Sequence, residues 1–311
     1  MRPWVVVGAQ RYRAIVAYDG TDYGGFQIQA SGLTIQGELE RALRSATQEF
    51  VRIVGAGRTD AGVHAQGQVI SFETSWRHGV ETLQRAMNAL LPDDIVVRDL
   101  APAEERFHAR FSARQRTYRY WVHHASASQP LMRRYGWGLA RRPDVEAMQR
   151  AAGHLLGEHD FAAFGQAPGG GNTVRAVLRA EWRGREAPPW AGADVELWEF
   201  EIAANAFLRG MVRRVVGTLL LVGSGELSAD GFAEVLASRN PARSGPPAPA
   251  RGLTLWRVEY GDGASTPGAG RNNDAAHKAV TGGLQRPGNR RRRGPEPASL
   301  EHGRSRLGED V

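Results

Sequence analysis

The sequence predicts an α+β protein made of two tandem β-α-β-β-α-β halves, and three observations carry that expectation. Alternating and helically spaced apolar segments follow one another in this order between residues 11 and 100. The same order returns between 116 and 260, so two split-βαβ units are the simplest architecture. The chain has 311 residues with 41% hydrophobic and 23% charged side chains, enough for one large or two medium domains with a sizeable core.

In the first half, RYRAIVAYD (11–19) puts Tyr12, Ala14, Val16 and Tyr18 on one face and reads as a strand. From Thr34 to Phe50 the positions Ile35, Leu39, Ala42, Leu43, Ala46 and Phe50 follow helical spacing, with Thr34 as the expected N-cap. VRIV (51–54) and QVISFE (68–73) are strand-like. Gly79 to Leu91 is helical and closed by Pro92, and IVVRDL (95–100) is a strand. In the second half RTYRYWVHH (116–124) is a strand, and Pro143 suits the first turn of a helix running to Leu156. TVRAVLRAEWR (173–183) and DVELWEFEIAA (194–204) are strands. Leu208 to Val222 is a helix with Leu208, Met211, Val212, Val215, Val216 and Leu219 on its buried side. A shorter helix from Ser228 to Ala237, capped by Ser228, is an insertion before the last strand, LTLWRVEY (253–260).

The expected domains are thus an N-terminal half, 11–106, a C-terminal half, 107–260, and a tail, 261–311. The tail holds 10 Gly and 4 Pro, no aromatic residue, and a block of four arginines, Arg290 to Arg293. Its scattered apolar residues cannot offset the entropy of ordering, so it reads as disordered and basic. Cysteine is absent, which excludes disulfides, thiolate zinc sites and cysteine nucleophiles. No apolar run approaches the ~18 residues of a membrane span. The opening residues MRPWVVVGAQRYR hold too short an apolar patch for a signal peptide, so a cytoplasmic location is expected.

The net charge is +7, carried by 39 arginines and one lysine, Lys278, against 33 acidic residues. Biased composition and a phosphate-binding surface both account for this. With no basic amphipathic helix, a polyanionic partner fits better than an anionic membrane.

Three clusters can carry chemistry. GAGRTDAGVHA (55–65) lies between two predicted strands and is a tight glycine loop. It is not a phosphate loop, because Asp60 stands where the dinucleotide fingerprint needs glycine, and Val63 and His64 replace the Lys and Ser/Thr of a Walker sequence. Its centre, Arg58-Thr59-Asp60, is either a loop-bracing ion pair or a reactive carboxylate held by arginine. His64, the pair His154 and His159, and His123–His124 show no metal-ligand spacing, so no metal is expected. FHARFSARQRTYRYWV (107–122) interleaves Arg110, Arg114, Arg116 and Arg119 with Phe107, Phe111, Tyr118 and Tyr120. That pattern suits single-stranded RNA, or a strand face packed on a core. NAFLRGMVRRVVG (205–217) places Arg209 and Arg213 four apart, on one helical face near its N-terminus.

GRTDAGVHA (57–65) resembles the signature of the bacterial tRNA pseudouridine synthase A family. YDGTDYGGFQIQ (18–29), FHARFSA with RTYRY (107–120), GEHDFAAF (157–164), NAFLRGMVRRVVG and GLTLWRVEY (252–260) agree with it in order. The resemblance covers residues 11 to 260. Phe26 departs from it, standing where the family commonly has tryptophan, and the Gly-rich stretch 165–172 is a variable loop. The resemblance implies the pseudouridine synthase fold: two ferredoxin- or RRM-like halves in a mixed, mainly antiparallel sheet with a central cleft. It implies a homodimer, without cofactor or metal, that isomerises uridine to pseudouridine at positions 38, 39 and 40 of the tRNA anticodon stem-loop. By position, Asp60 matches the catalytic aspartate and Tyr118 the tyrosine against the target uracil. Arg58 matches the arginine that helps displace the base, and Arg213 the arginine paired with the aspartate.

Overall fold

Side-chain alternation builds the centre of the molecule. The computed structural model describes residues 8–167 and 170–261. Strand β1 (Gln10–Tyr18) buries every second residue, Tyr12 to Tyr18, and is followed by helix α1 (Ile35–Thr47), β2 (Val54–Gly55), β3 (His64–Thr74), α2 (Val80–Leu90) and β4 (Ile95–Pro102). The chain continues through β5 (Ala113–His124), β6 (Trp137–Leu139), α3 (Val145–Gly153), β7 (Gly157–Asp160), β8 (Val174–Arg185) and β9 (Glu196–Ala204). Helices α4 (Met211–Gly223) and α5 (Ala229–Ser238) lead to β10 (Leu253–Tyr260).

The ten strands form one sheet in the order β4-β1-β3-β10-β5-β9-β8-β7, with β2 on β3 and β6 on β5. The run β4-β1-β3-β2 is the strand order of a split-βαβ unit, and β10-β5-β9-β8 repeats it. All pairings are antiparallel except β6 with β5 and β10 with β3. The expected α+β class and the mixed, mainly antiparallel sheet are therefore what the molecule has.

The two runs meet on one edge of β3. Its later residues Ile70 and Ser71 pair with β2, while its first residues, His64 and Ala65, pair with Thr254 and Leu255 of β10. The connection from β2 to β3 is the 55–65 loop, so topology puts Asp60 at the seam. One continuous apolar cluster runs behind the sheet from Leu39, Leu43 and Leu83 to Phe200, Val215 and Phe232.

Several local expectations hold for the reasons given. Thr34 and Ser228 cap α1 and α5 by accepting from the backbone N–H three residues on, at Gly37 and Gly231. Others need correction. Helix α1 stops at Thr47 because Gln48 turns left-handed at φ 60°, so Phe50 is off the buried face. Phe50 is 85% exposed, with the Arg44 guanidinium 3.9 Å from its ring centre. VRIV contributes only its last residue to β2; Val51 and Ile53 are buried without pairing. Pro143 precedes the cap Asp144 instead of opening the helix. Helix α4 begins at Met211, not Leu208, because Gly210 is left-handed at φ 72°. Strands β6 and β7, three and four residues long, carry too little pattern to be seen in the sequence. The tail expected over 261–311 lies outside the described residues, Gly261 apart.

Candidate active site

The 55–65 loop is fixed from its flanks inward, which leaves Asp60 free to face solvent. Ala56 N–H donates to Val69 O at 2.8 Å. Buried Gln68 clamps Gly57 on both sides, donating from Nε2 to its carbonyl at 2.7 Å and accepting its N–H at 3.3 Å. Thr59 turns inward, with Oγ1 2.8 Å from the Tyr18 hydroxyl, and its carbonyl accepts from Phe26 N–H at 3.1 Å. Val63 N–H closes the turn on Asp60 O at 3.1 Å.

The segment YDGTDYGGF (18–26) is the bed on which this loop lies. Gly25 has φ 104°, and a Cβ there would stand 2.7 Å from Thr59 O. A Cβ at Gly20 would overlap the Val63 carbonyl. Only glycine lets the two backbones approach this closely. His64 ends the loop with both ring nitrogens beside backbone groups. Its Nδ1 accepts from Gly20 N–H at 3.1 Å, and its Nε2 faces the carbonyls of Arg134 and Arg251 at 2.9 and 3.2 Å. The imidazole thereby ties the start of β3 to the approach of β10. Among the described residues no three His, Asp or Glu side chains form a group that could hold a metal ion.

Arg213 reaches Asp60 from the other half of the chain. It is the third residue of α4, in a first turn that holds no acidic residue. Its Nε donates to Ala248 O at 2.7 Å, and its Nη1 stands 3.7 Å from Asp60 Oδ2. The side chains are 35% (Asp60) and 23% (Arg213) exposed, so the pair is open to a ligand. Arg213 thus sets one guanidinium beside the Asp60 carboxylate.

Tyr118 lies beside this pair. It sits on β5 between Leu255 of β10 and Ile202 of β9, buried, with its ring edge-on to Phe207 at 5.0 Å. Its hydroxyl faces the loop: a Cβ on Gly57 would be 3.8 Å from it. Burial pushes the Tyr118 phenol up to about 12; the nearby Arg116 charge pulls it down and the Asp60 charge adds to the rise. The phenol is therefore neutral at ordinary pH and can donate a hydrogen bond.

Of the four expected site residues, the structure brings Asp60, Arg213 and Tyr118 together. Arg58 sits on the same loop, exposed, with no ion pair among the described residues. The Arg58–Asp60 brace that the sequence left open is absent; Asp60's partner is Arg213. Arg209 is exposed too, but it precedes α4 and is held by a bridge to Gln166, so the helical face expected for Arg209 and Arg213 does not exist.

The interleaved 107–122 cluster divides. Phe107 and Tyr120 are core residues, and the Tyr120 hydroxyl donates to Pro249 O at 2.8 Å. Arg119 points to the opposite face of β5, where it pairs with Glu199 and Glu201 and lies 4.0 Å from the Trp256 ring centre. Arg116 is buried among backbone carbonyls. What remains outward is Arg110, Phe111 and Arg114, with Phe111 76% exposed and stacked 4.4 Å from the His108 ring. Arg58 and Arg209 are exposed as well, and none of these four arginines has a carboxylate partner among the described residues. Sequence reading missed Gln68, the Tyr18–Thr59 pair and the true place of Arg116. The parity of Arg116 with Tyr118 and Tyr120 on one strand was the available signal for the last.

A family profile described as tRNA pseudouridine synthase matches residues 14–112 and 151–261. Among curated relatives, tRNA pseudouridine synthase A of Chloroflexus aurantiacus is 49% identical over 250 residues, 80% of this chain and 88% of its own. The protein of that name from Roseiflexus castenholzii is 46% identical over 245 residues, 79% of this chain and 88% of its own. The one from Brevibacillus brevis is 41% identical over 255 residues, 81% of this chain and 100% of its own.

Proposed function

The chain belongs to the tRNA pseudouridine synthase family and converts uridine to pseudouridine in tRNA; we propose that Asp60 is its catalytic carboxylate, acting on uridines 38, 39 and 40 of the anticodon stem-loop. The observation that carries this reading is the Asp60–Arg213 pair, 3.7 Å apart and solvent-accessible, at the seam where β3 meets β10.

The reaction breaks the C1′–N1 bond, turns the uracil and joins C1′ to C5. The C5 proton leaves and N1 gains one, so the exchange is redox-neutral. It needs a carboxylate that engages the target nucleotide and then leaves it. The uridine must first come out of its stack, at a cost of a few kcal/mol. Arg58, exposed and unpaired two residues before Asp60, is suited to fill the space the base vacates. Arg213 orients Asp60 from the start of α4. Tyr118 offers the freed uracil a neutral aromatic wall with one donor. Phe111 and the exposed Arg110, Arg114 and Arg209 hold the surrounding stem-loop by stacking and phosphate contacts.

The division into halves 11–106 and 107–260 follows from the same reading, since the site is assembled from one loop of the first and two segments of the second. Family membership supports a homodimer and an action in the cytoplasm, where tRNA is found. No helix among the described residues is long and apolar enough to cross a membrane.

Release of tritium from C5-labelled uridine in tRNA transcripts tests the positions. Transcripts carrying uridine at 38, 39 or 40 should release label. Transcripts with cytidine at all three should release none, and undiminished release from them would refute the assignment.

A further inference from the structure

Arg116 is a buried cation that no carboxylate neutralises. It is 9% exposed and makes no ion pair among the described residues. Taking a guanidinium out of water is costly unless its hydrogens are all placed. Here the four on its terminal nitrogens are placed on backbone. Nη1 donates to Asn205 O at 2.9 Å and to Ala113 O at 3.1 Å. Nη2 donates to Ala56 O at 3.0 Å and to Arg110 O at 2.5 Å. Burial lowers the Arg116 pKa, yet guanidinium stays charged across any working pH.

The four carbonyls belong to three different segments of the site. Ala56 leads directly into Gly57-Arg58-Thr59-Asp60. Asn205 opens the stretch that ends in Arg213. Arg110 and Ala113 flank the exposed Phe111. A planar fork has fixed spacing between its two terminal nitrogens, unlike the single point charge of lysine. We propose that Arg116 is a positioning residue: its guanidinium sets the separation of Asp60 and Arg213 by holding the catalytic loop and the approach to α4 on one rigid fork. Arg116 touches neither substrate nor Asp60 and acts through the backbone it holds. The inference rests on the catalytic role proposed for Asp60. A misplacement of about 1 Å in a reacting group can cost on the order of 100-fold in rate.

The test compares the full-length parent, Asp60→Asn and Arg116→Lys in single-turnover pseudouridine formation, tRNA affinity and melting temperature. Arg116→Lys keeps the charge and loses the fork. Its single-turnover rate should fall at least tenfold, measured well below its melting temperature, with tRNA affinity within about threefold of the parent. A parent-like rate, or a rate that falls only as affinity falls, would overturn the proposal. An Arg116→Lys chain that does not fold would also overturn it, by assigning Arg116 to stability. A parent activity unaffected by Asp60→Asn would instead take down the reading of the site itself.

Discussion

Tyr118 and Asp60 stand in opposite surroundings in the proposed site. Asp60 keeps access to solvent and a cation, whereas Tyr118 is buried and its phenol is pushed up to about 12. The folded state thus holds the Tyr118 proton more tightly than the unfolded chain, whose tyrosines titrate near 10. The associated stability is fully present below pH 10 and is lost as pH rises through about 12. Denaturant unfolding at pH 9 and pH 12 should show the parent losing on the order of 2 to 3 kcal/mol more than Tyr118→Phe, which cannot ionise. An equal loss in both would mean the phenol is not shielded. In the tRNA reaction, Tyr118→Phe should retain binding, because the ring remains, while Tyr118→Ala should weaken it by ~1–3 kcal/mol. Affinity unchanged in both would remove the ring from the binding site. Asp60 stands out in the sequence because glycines surround it in a loop that fits no phosphate-binding spacing. Arg116 was misread because arginine beside aromatics suits RNA equally well; only its strand parity with Tyr118 and Tyr120 put it inside.

At the scale of elements, the long periodic segments are legible and the short or interrupted ones are not. Strand β1 alternates over its full length, and α1 shows both its cap and its apolar stripe. The ends are set by backbone geometry that composition does not display: the left-handed Gln48 ends α1 and the left-handed Gly210 delays α4. That delay separates Arg209 from Arg213 and leaves only the latter on the helix. The 55–65 loop also depends on its bed. Gly25→Ala puts a side chain at φ 104° and against Thr59 O, so it should lower the melting temperature and the single-turnover rate together, by more than 1 kcal/mol in stability. Thermal melting and rapid-quench assays of that variant measure both, and an unchanged pair would mean the loop does not rest on 18–26. Phe111→Ala removes an exposed ring that meets the His108 ring and the Arg110 guanidinium, both near the surface. Its melting temperature should stay near the parent's while tRNA affinity drops by ~1–3 kcal/mol in a filter-binding assay.

Across the whole molecule, the repeated strand order was readable from the order of elements, but the seam was not. The β3–β10 pairing joins His64 and Ala65 to Thr254 and Leu255, residues from opposite ends of the fold, and no local pattern encodes it. The two-residue length of β2 matters here, because it leaves the first part of β3 open for β10. The site therefore exists only when both halves are in place. Removal of the segment after residue 260, expected to be disordered, should leave the melting temperature nearly unchanged. The loss of Arg290 to Arg293 should lower tRNA affinity modestly and flatten its salt dependence. A truncated chain that fails to fold would show that the segment packs on the rest. Sedimentation equilibrium at micromolar concentration should report twice the 33.9 kDa chain mass; a monomer would refute the homodimer.

The claim on which the rest stands is that the carboxylate of Asp60 performs the chemistry. Asp60→Asn keeps the shape of the side chain and removes the charge that Arg213 faces at 3.7 Å. The decisive measurement is single-turnover pseudouridine formation by this variant, with its melting temperature and tRNA affinity determined on the same preparation. The account predicts a folded protein that binds tRNA within about tenfold of the parent, ~1.4 kcal/mol, and forms no pseudouridine. A folded, tRNA-binding variant that still turns over at more than a few percent of the parent rate would contradict it.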